Sequence, residues 1–204
     1  MKHVILTGEV GAGKSTVLKK ILQLLDARAE GIETGAYTPR EEKEKTLYMR
    51  AYGDKEKGVP FMHLPGGDKA YAARCFDVIG VQLLRRAGRT GELIVIDEMG
   101  WLERNAMSYQ EELRTVFDGN IPVLGVLRQN KAEWADWIRN HPDVQMMTVS
   151  LKKRDELPAL AAEILRPQIQ KKEHLMDEPV CNMYCGQKQE DEQEDICFLN
   201  QKNI

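Results

Sequence analysis

Gly8-Glu9-Val10-Gly11-Ala12-Gly13-Lys14-Ser15-Thr16 decides how the rest of the chain is read. A glycine, four residues, then Gly-Lys-Ser is the spacing of a loop that wraps a polyphosphate. Gly8, Gly11 and Gly13 leave no Cβ in the way, so successive backbone N–H groups turn inward around a β-phosphate at the positive end of the following helix. Lys14 reaches the β- and γ-phosphates, and Ser15 offers a hydroxyl to Mg²⁺, whose octahedral shell is otherwise filled by phosphate oxygens and waters. The whole stretch from Gly8 to Thr16 is therefore the expected cradle for a nucleoside triphosphate. Its surroundings are those the motif needs. Val4-Ile5-Leu6 is an apolar strand before it, and Val17, Leu18, Ile21, Leu22 and Leu25 recur at helical spacing after it, in a helix expected to stop near Gly31.

Downstream, short apolar runs alternate with helical periodicities, the pattern of a parallel sheet with crossover helices. Glu33 to Thr38 reads as a strand. Thr46 to Tyr52 alternates apolar with polar or small residues and ends at Gly53-Asp54, as part of an antiparallel hairpin inserted in the sheet. Asp54 to Asp68, punctuated by glycine and proline, reads as a loop. Phe76, Ile79, Gly80, Leu83, Leu84 and Ala87 share a helical face that ends at Gly88. Arg85, Arg86 and Arg89 lie at the end of that helix, where their plain role is to offset its dipole and meet solvent. Ile121 to Leu127 is a strand, Trp134, Trp137 and Ile138 mark a helix ending before Pro142, and Val144 to Val149 is a last strand. Asp155 and Pro158 open a short helix carrying Leu160 and Ile164.

Leu93-Ile94-Val95-Ile96-Asp97-Glu98 is a continuous apolar strand with two carboxylates at its carboxyl end, the edge where open α/β sheets bind ligands. Asp97 is expected to accept from a Mg²⁺-bound water and so position the metal together with Ser15. Glu98 is expected to orient or deprotonate the attacking water, the step that separates hydrolysis from binding.

With 204 residues, 42% hydrophobic and 30% charged, the chain has room for one α/β domain with a full core. The N-terminus enters a core strand at once, so no secretory leader is expected, and no run approaches a membrane span. A cytoplasmic protein with reduced cysteines is the expectation. The net charge of −3 belongs to the end of the chain, because acidic residues outnumber basic ones two to one from Gln168 onward and the rest is nearly balanced. A balanced body gives no argument for nucleic-acid or membrane binding. The expected organisation is a domain over 1–167 and an acidic tail over 168–204.

GEVGAGKST, GAYTPRE, the helix ending LLRRAG, IVIDEMGWLE, the strand PVLGVL and HPDVQMMTVSLKKRDELP resemble, in that order, the motifs of the THEP-type nucleoside triphosphatases, over about residues 3 to 167. The resemblance implies a P-loop NTPase three-layer sandwich of the ASCE class with a mostly parallel central sheet. It also implies Mg²⁺-dependent hydrolysis of ATP, GTP and other triphosphates with loose base selectivity, carried by Gly8 to Thr16, Asp97 and Glu98. Three positions depart from the family pattern. Trp101 stands in place of a lysine, Lys153-Arg154-Asp155 in place of Asn-Arg-Asp, and Ala36 in place of an aromatic.

Phosphoryl transfer gains most from a cation at the γ-phosphate, and Arg40, Arg104, Arg128 and Arg154 lie near expected strand ends or helix starts. Arg128 and Arg154 rank first because both follow sheet strands on the binding edge. Asn130-Lys131-Ala132-Glu133 is a near miss of a guanine-reading element, and a loop entering a helix explains it as well. Trp134 and Trp137 are expected to pack rather than to stack on a base. His3, His63, His141 and His174 show no metal-ligand spacing. In the tail, Cys181, Cys185 and Cys197 with His174 upstream match no trusted zinc pattern, and Glu190 to Asp195 is nearly all acid, as in a partner-docking appendage whose partner is unknown. Two other readings stay open. One is a nucleoside or nucleotide kinase with the Asp54 to Asp68 loop as its lid, and the other a nucleotide-gated binding module with little turnover.

Overall fold

In the computed structural model the described residues are 2–36, 43–56, 58–129 and 133–169. They form a seven-stranded sheet: β1 (His3–Thr7), β2 (Ala29–Ala36), β3 (Lys45–Ala51), β4 (Val59–Leu64), β5 (Leu93–Met99), β6 (Val123–Leu127) and β7 (Val144–Thr148), in the order β4-β3-β2-β5-β6-β1-β7. From β2 to β7 all neighbours are parallel, and β3 and β4 extend the β2 edge as antiparallel strands. The sheet is thus mostly parallel, and the Thr46 to Tyr52 segment takes the hairpin role its alternation implies.

The helices are α1 (Lys14–Leu25), α2 (Lys69–Cys75), α3 (Val81–Thr90), α4 (Met107–Asp118), α5 (Asp136–Arg139) and α6 (Leu157–Leu165). On one face α1 and α6 lie side by side over the sheet, with Val17, Leu18, Ile21, Ala161 and Leu165 packed on Val4, Leu6, Val95, Leu124 and Val126. Ile5, Ile94 and Ile96 alternate with those strand residues and point to the opposite face, where α3 covers β2 and packs on α4. Between α2 and α3 the turn Phe76–Gly80 is a π-helical widening, and its Asp77 carboxylate accepts from the Tyr109 N–H in the first turn of α4 at 3.0 Å.

Three expectations are corrected. The segment Asp54 to Asp68 is not simply a loop, since it contains β4, whose Val59, Phe61 and Met62 hold the hairpin against β3. Pro60, which suggests a loop, is tolerated because β4 is an edge strand and one unpaired N–H fewer costs nothing there. Helix α1 stops at Leu25, where Asp26 takes a left-handed conformation at φ 47, rather than near Gly31. Gly31 lies inside β2 opposite Val95, and a side chain there would run into the Val95 carbonyl, so this glycine serves close strand pairing and not a helix stop. The helix expected to end at Gly88 runs on to Thr90, and two of its terminal arginines do more than meet solvent. Arg86 is half-buried in an ion pair with Glu30 at 3.6 Å, and Arg85 pairs with Glu112 at 2.7 Å. No helix among the described residues is long and apolar enough to cross a membrane.

Candidate functional site

The loop from Gly8 to Gly13 joins the carboxyl end of β1 to the amino end of α1. Gly8 sits at φ 141 beside β7, where a side chain would strike the Val149 carbonyl, so only glycine lets the chain leave the strand this way. Gly13 is the left-handed N-cap of α1, with no side chain capping the helix, so the first-turn N–H groups remain open to an anionic ligand. Val10 at the loop crest, Ser15 and Thr16 are exposed. Lys14 folds back over the loop and donates to the carbonyls of Gly8 at 3.0 Å and Glu9 at 2.9 Å. An ammonium parked on two carbonyls is poised to exchange them for phosphate oxygens.

Asp97 and Glu98 lie in the carboxyl-terminal part of β5, just before its last residue Met99, and their surroundings differ. Asp97 lies in register with Glu33 of β2. Burial, then the charges of Glu33 and Glu98, pushes its carboxyl up to about 6, against the opposing pull of the Lys19 and Lys14 ammoniums. The same accumulation of acid, with burial as the larger cause, pushes the Tyr52 phenol up to about 12. Arg50 on β3 balances Glu33 with bonds of 2.9 and 3.1 Å. The Ser15 hydroxyl and the Asp97 carboxylate are hard oxygen donors of the kind Mg²⁺ takes.

Glu98 is gripped by Arg128, which leaves β6 one residue after its end. The guanidinium places Nε 2.9 Å from Oε1 and Nη2 3.2 Å from Oε2. Arg128 is itself held by its N–H on the Met99 carbonyl at 2.9 Å, and Arg139 donates to the Arg128 carbonyl at 3.0 Å. Together with Thr34, Gly35 and Gly100 the pair lines a cavity of about 160 Å³. Arg154 lies elsewhere. Its Cδ stands 4.0 Å from where a Gly13 side chain would begin, beside the Gly8–Gly13 loop. The two leading arginines therefore divide, one to Glu98 and one to the loop. Arg104 is a surface residue facing Glu133 at 3.4 Å, and Arg40 lies outside the described residues.

Sequence reasoning passed over Glu103. Only 2% exposed, it accepts the Gly100 N–H at 2.9 Å, and burial pushes it up to about 7 despite that bond and the nearby Arg128 charge. From the other side, the Trp134 indole donates to the Gly100 carbonyl at 2.6 Å. Gly100, which with Met99 links the two site carboxylates to Trp101, is thus held at both its N–H and its carbonyl. Trp137 packs edge-on against Phe117 at 5.4 Å, with the Arg114 guanidinium 4.5 Å from its ring. Packing is the right reading of Trp137, whereas Trp134 supports the site. Asn130, Lys131 and Ala132 lie outside the described residues, as do His174, Cys181, Cys185 and Cys197. Among the described residues no group of three or more His, Cys, Asp or Glu side chains could hold a metal by themselves, so a cation at Ser15 and Asp97 would need further oxygens from a ligand or water.

A family model described as NTPase matches residues 3–165. The nucleoside-triphosphatase THEP1 of Thermotoga sp. strain RQ2 is 28% identical over 161 residues, spanning 76% of this chain and 90% of that protein. The protein of the same name from Natranaerobius thermophilus is 25% identical over 186 residues, 82% of this chain and 98% of that one. Among solved structures, THEP1 from Aquifex aeolicus superposes with a TM-score of 0.60 at 23% identity over 80% of this chain and 98% of that one, a likeness of fold.

Proposed function

The chain belongs to the NTPase family, and from that premise we propose that it hydrolyses nucleoside 5′-triphosphates, ATP, GTP and others alike, to diphosphate and phosphate in a Mg²⁺-dependent reaction in the cytoplasm. The observation that carries this reading is the edge shared by the Gly8–Gly13 loop and the Asp97-Glu98 pair, close enough for Lys14 to act on the Asp97 carboxyl. The loop N–H groups and the amino end of α1 take the β-phosphate, and Lys14 moves from the Gly8 and Glu9 carbonyls onto the β- and γ-phosphates. Ser15 would hold Mg²⁺ directly and Asp97 through a metal-bound water, and the metal would supply neutralisation of charge on the phosphate oxygens.

Glu98 accepts the proton of the attacking water. Arg128 keeps the carboxylate aimed, and on substrate binding turns from Glu98 toward the γ-phosphate. Arg154, beside the loop, supplies a second cation to the phosphates. Loose base selectivity is part of the proposal because the groups assigned here, the Gly8–Gly13 loop, Lys14, Ser15, Asp97 and Glu98, all address the phosphates, the metal and the water rather than the base. The domain over 1–167 performs this chemistry, and the acidic tail over 168–204 is an appendage for a protein partner.

The test is release of inorganic phosphate from ATP, GTP and the pyrimidine triphosphates, with and without Mg²⁺, using labelled γ-phosphate and candidate acceptors in parallel. Free labelled phosphate from every triphosphate in the presence of Mg²⁺, and none without it, supports the reading. Label found only on an acceptor would make the protein a kinase, and no transfer at all a binding module.

A further inference from the structure

On the far side of Trp101 from the Glu98–Arg128 pair, a second and larger cavity of about 370 Å³ opens between β4, α2 and the short 3-10 turn Leu102–Asn105. Trp101 and Leu102 line both cavities and so form the wall between them. The volume is that of a small-molecule site. Met62, 3% exposed, and Leu102 give it an apolar floor, while Lys69, Arg104 and Asn105 stand at its rim.

The chemistry of the lining is specific. Trp101 offers an aromatic face, and the Lys69 ammonium lies 5.8 Å from its ring centroid. Arg104 is 58% exposed and faces the 83% exposed Glu133 carboxylate at 3.4 Å, a surface pair that a bound anion displaces at little cost. Asn105 carries both a donor and an acceptor for the edge of a heterocycle. The platform is also rigid, because Gly100, the residue that carries Trp101, is fastened by Glu103 at its N–H and by Trp134 at its carbonyl. A preorganised aromatic face loses little freedom when a ring stacks on it. A ring without charge would leave the two cations unused, and an inorganic anion would leave the indole unused.

We propose that this cavity is a second ligand site for a nucleoside monophosphate, its base stacked on Trp101 and its phosphate held between Lys69 and Arg104. The site is separate from the triphosphate cradle and does not depend on the role given to Glu98.

Calorimetric titration of the full chain with AMP and GMP, in the presence of Mg²⁺ and a saturating non-hydrolysable ATP analogue, tests it. One equivalent of monophosphate is expected to bind on top of the analogue. Loss of a stacking platform or of a phosphate-binding cation weakens such binding roughly ten-fold or more, so Trp101→Lys, Lys69→Met and Arg104→Met should each do so. Affinity for the ATP analogue should stay within about two-fold of the parent in the Lys69→Met protein, since an exposed lysine outside the cradle contributes little to it. Three results would overturn the proposal: strict competition between monophosphate and analogue, inorganic phosphate binding as tightly as AMP, or no binding. Lys69 is exposed at the start of α2, so its variant carries the test if the Trp101 variant does not fold. Phosphate release is not part of the readout, so failure of the hydrolase reading would leave this result interpretable.

Discussion

Arg128 clasps Glu98 in a two-point fork, Nε on one carboxylate oxygen and Nη2 on the other, across thirty residues of sequence. The carboxylate expected to take a proton and the guanidinium expected to meet a phosphate are each other's partners. Each keeps the other oriented, and either can leave only if the other is compensated. A fork of this kind fixes planar geometry in a way a lysine ammonium does not.

If Glu98 is the proton acceptor, Glu98→Gln keeps the shape of the side chain and removes its basicity. Phosphate release should fall by about 10²- to 10⁴-fold while triphosphate binding survives. Single-turnover rates measured beside nucleotide affinity check this, and a variant that hydrolyses at the parent rate removes Glu98 from the mechanism.

Asp97→Asn should fail in a different way. It weakens the hold on the metal, so its defect should deepen at low Mg²⁺ and be partly rescued by excess. A Mg²⁺ series of initial rates on both proteins separates the two carboxylates, and a defect independent of Mg²⁺ would count against a metal role for Asp97.

Lys14→Ala removes the ammonium seated on the Gly8 and Glu9 carbonyls. Charge-assisted bonds to phosphate contribute on the order of 1.5–3 kcal/mol, so triphosphate affinity should drop about ten- to hundred-fold or more. Unchanged affinity by calorimetry would contradict the cradle itself.

Glu103 makes stability depend on pH. Its carboxyl rises from an ordinary value of 4.5 to about 7 in the folded protein. A raised value means the fold favours the protonated form, so this group's contribution is full below about 4.5 and is lost as pH climbs through 7. Glu103→Gln removes that dependence and can still accept the Gly100 N–H. The variant's stability relative to the parent should therefore rise across this window, by up to about 3 kcal/mol, and level off above it. Urea unfolding midpoints on either side of the window measure the difference, and a constant offset would show that the group does not titrate there.

Removal of everything after Pro167 should leave a folded protein that still binds and hydrolyses triphosphate. Helix α6 is complete at Leu165, and among the described residues the cut takes from the core the partly buried Ile169 and the end of the turn Arg166–Gln168. Burial of that kind is worth on the order of 1 kcal/mol, so a small fall in Tm is expected. Aggregation of the shortened chain would show that the tail belongs to the domain.

The sequence alone determined what rests on local interactions. Glycine spacing in the Gly8–Thr16 loop, the apolar period of α1 and the unbroken run Leu93–Ile96 each act within a few residues, so the order of letters carries them. The carboxyl-edge position of Asp97 and Glu98 followed from the apolar strand run that precedes them. The β4 strand was hidden by Pro60 and the glycines around it, because only its place at the edge of the sheet makes a proline harmless. Which arginine faces Glu98, why Glu33 presses on Asp97, and how Glu103 comes to be buried were decided by tertiary structure. Each of these depends on strand order and register, or on exclusion of water, and those arise only when segments distant in the chain are brought together.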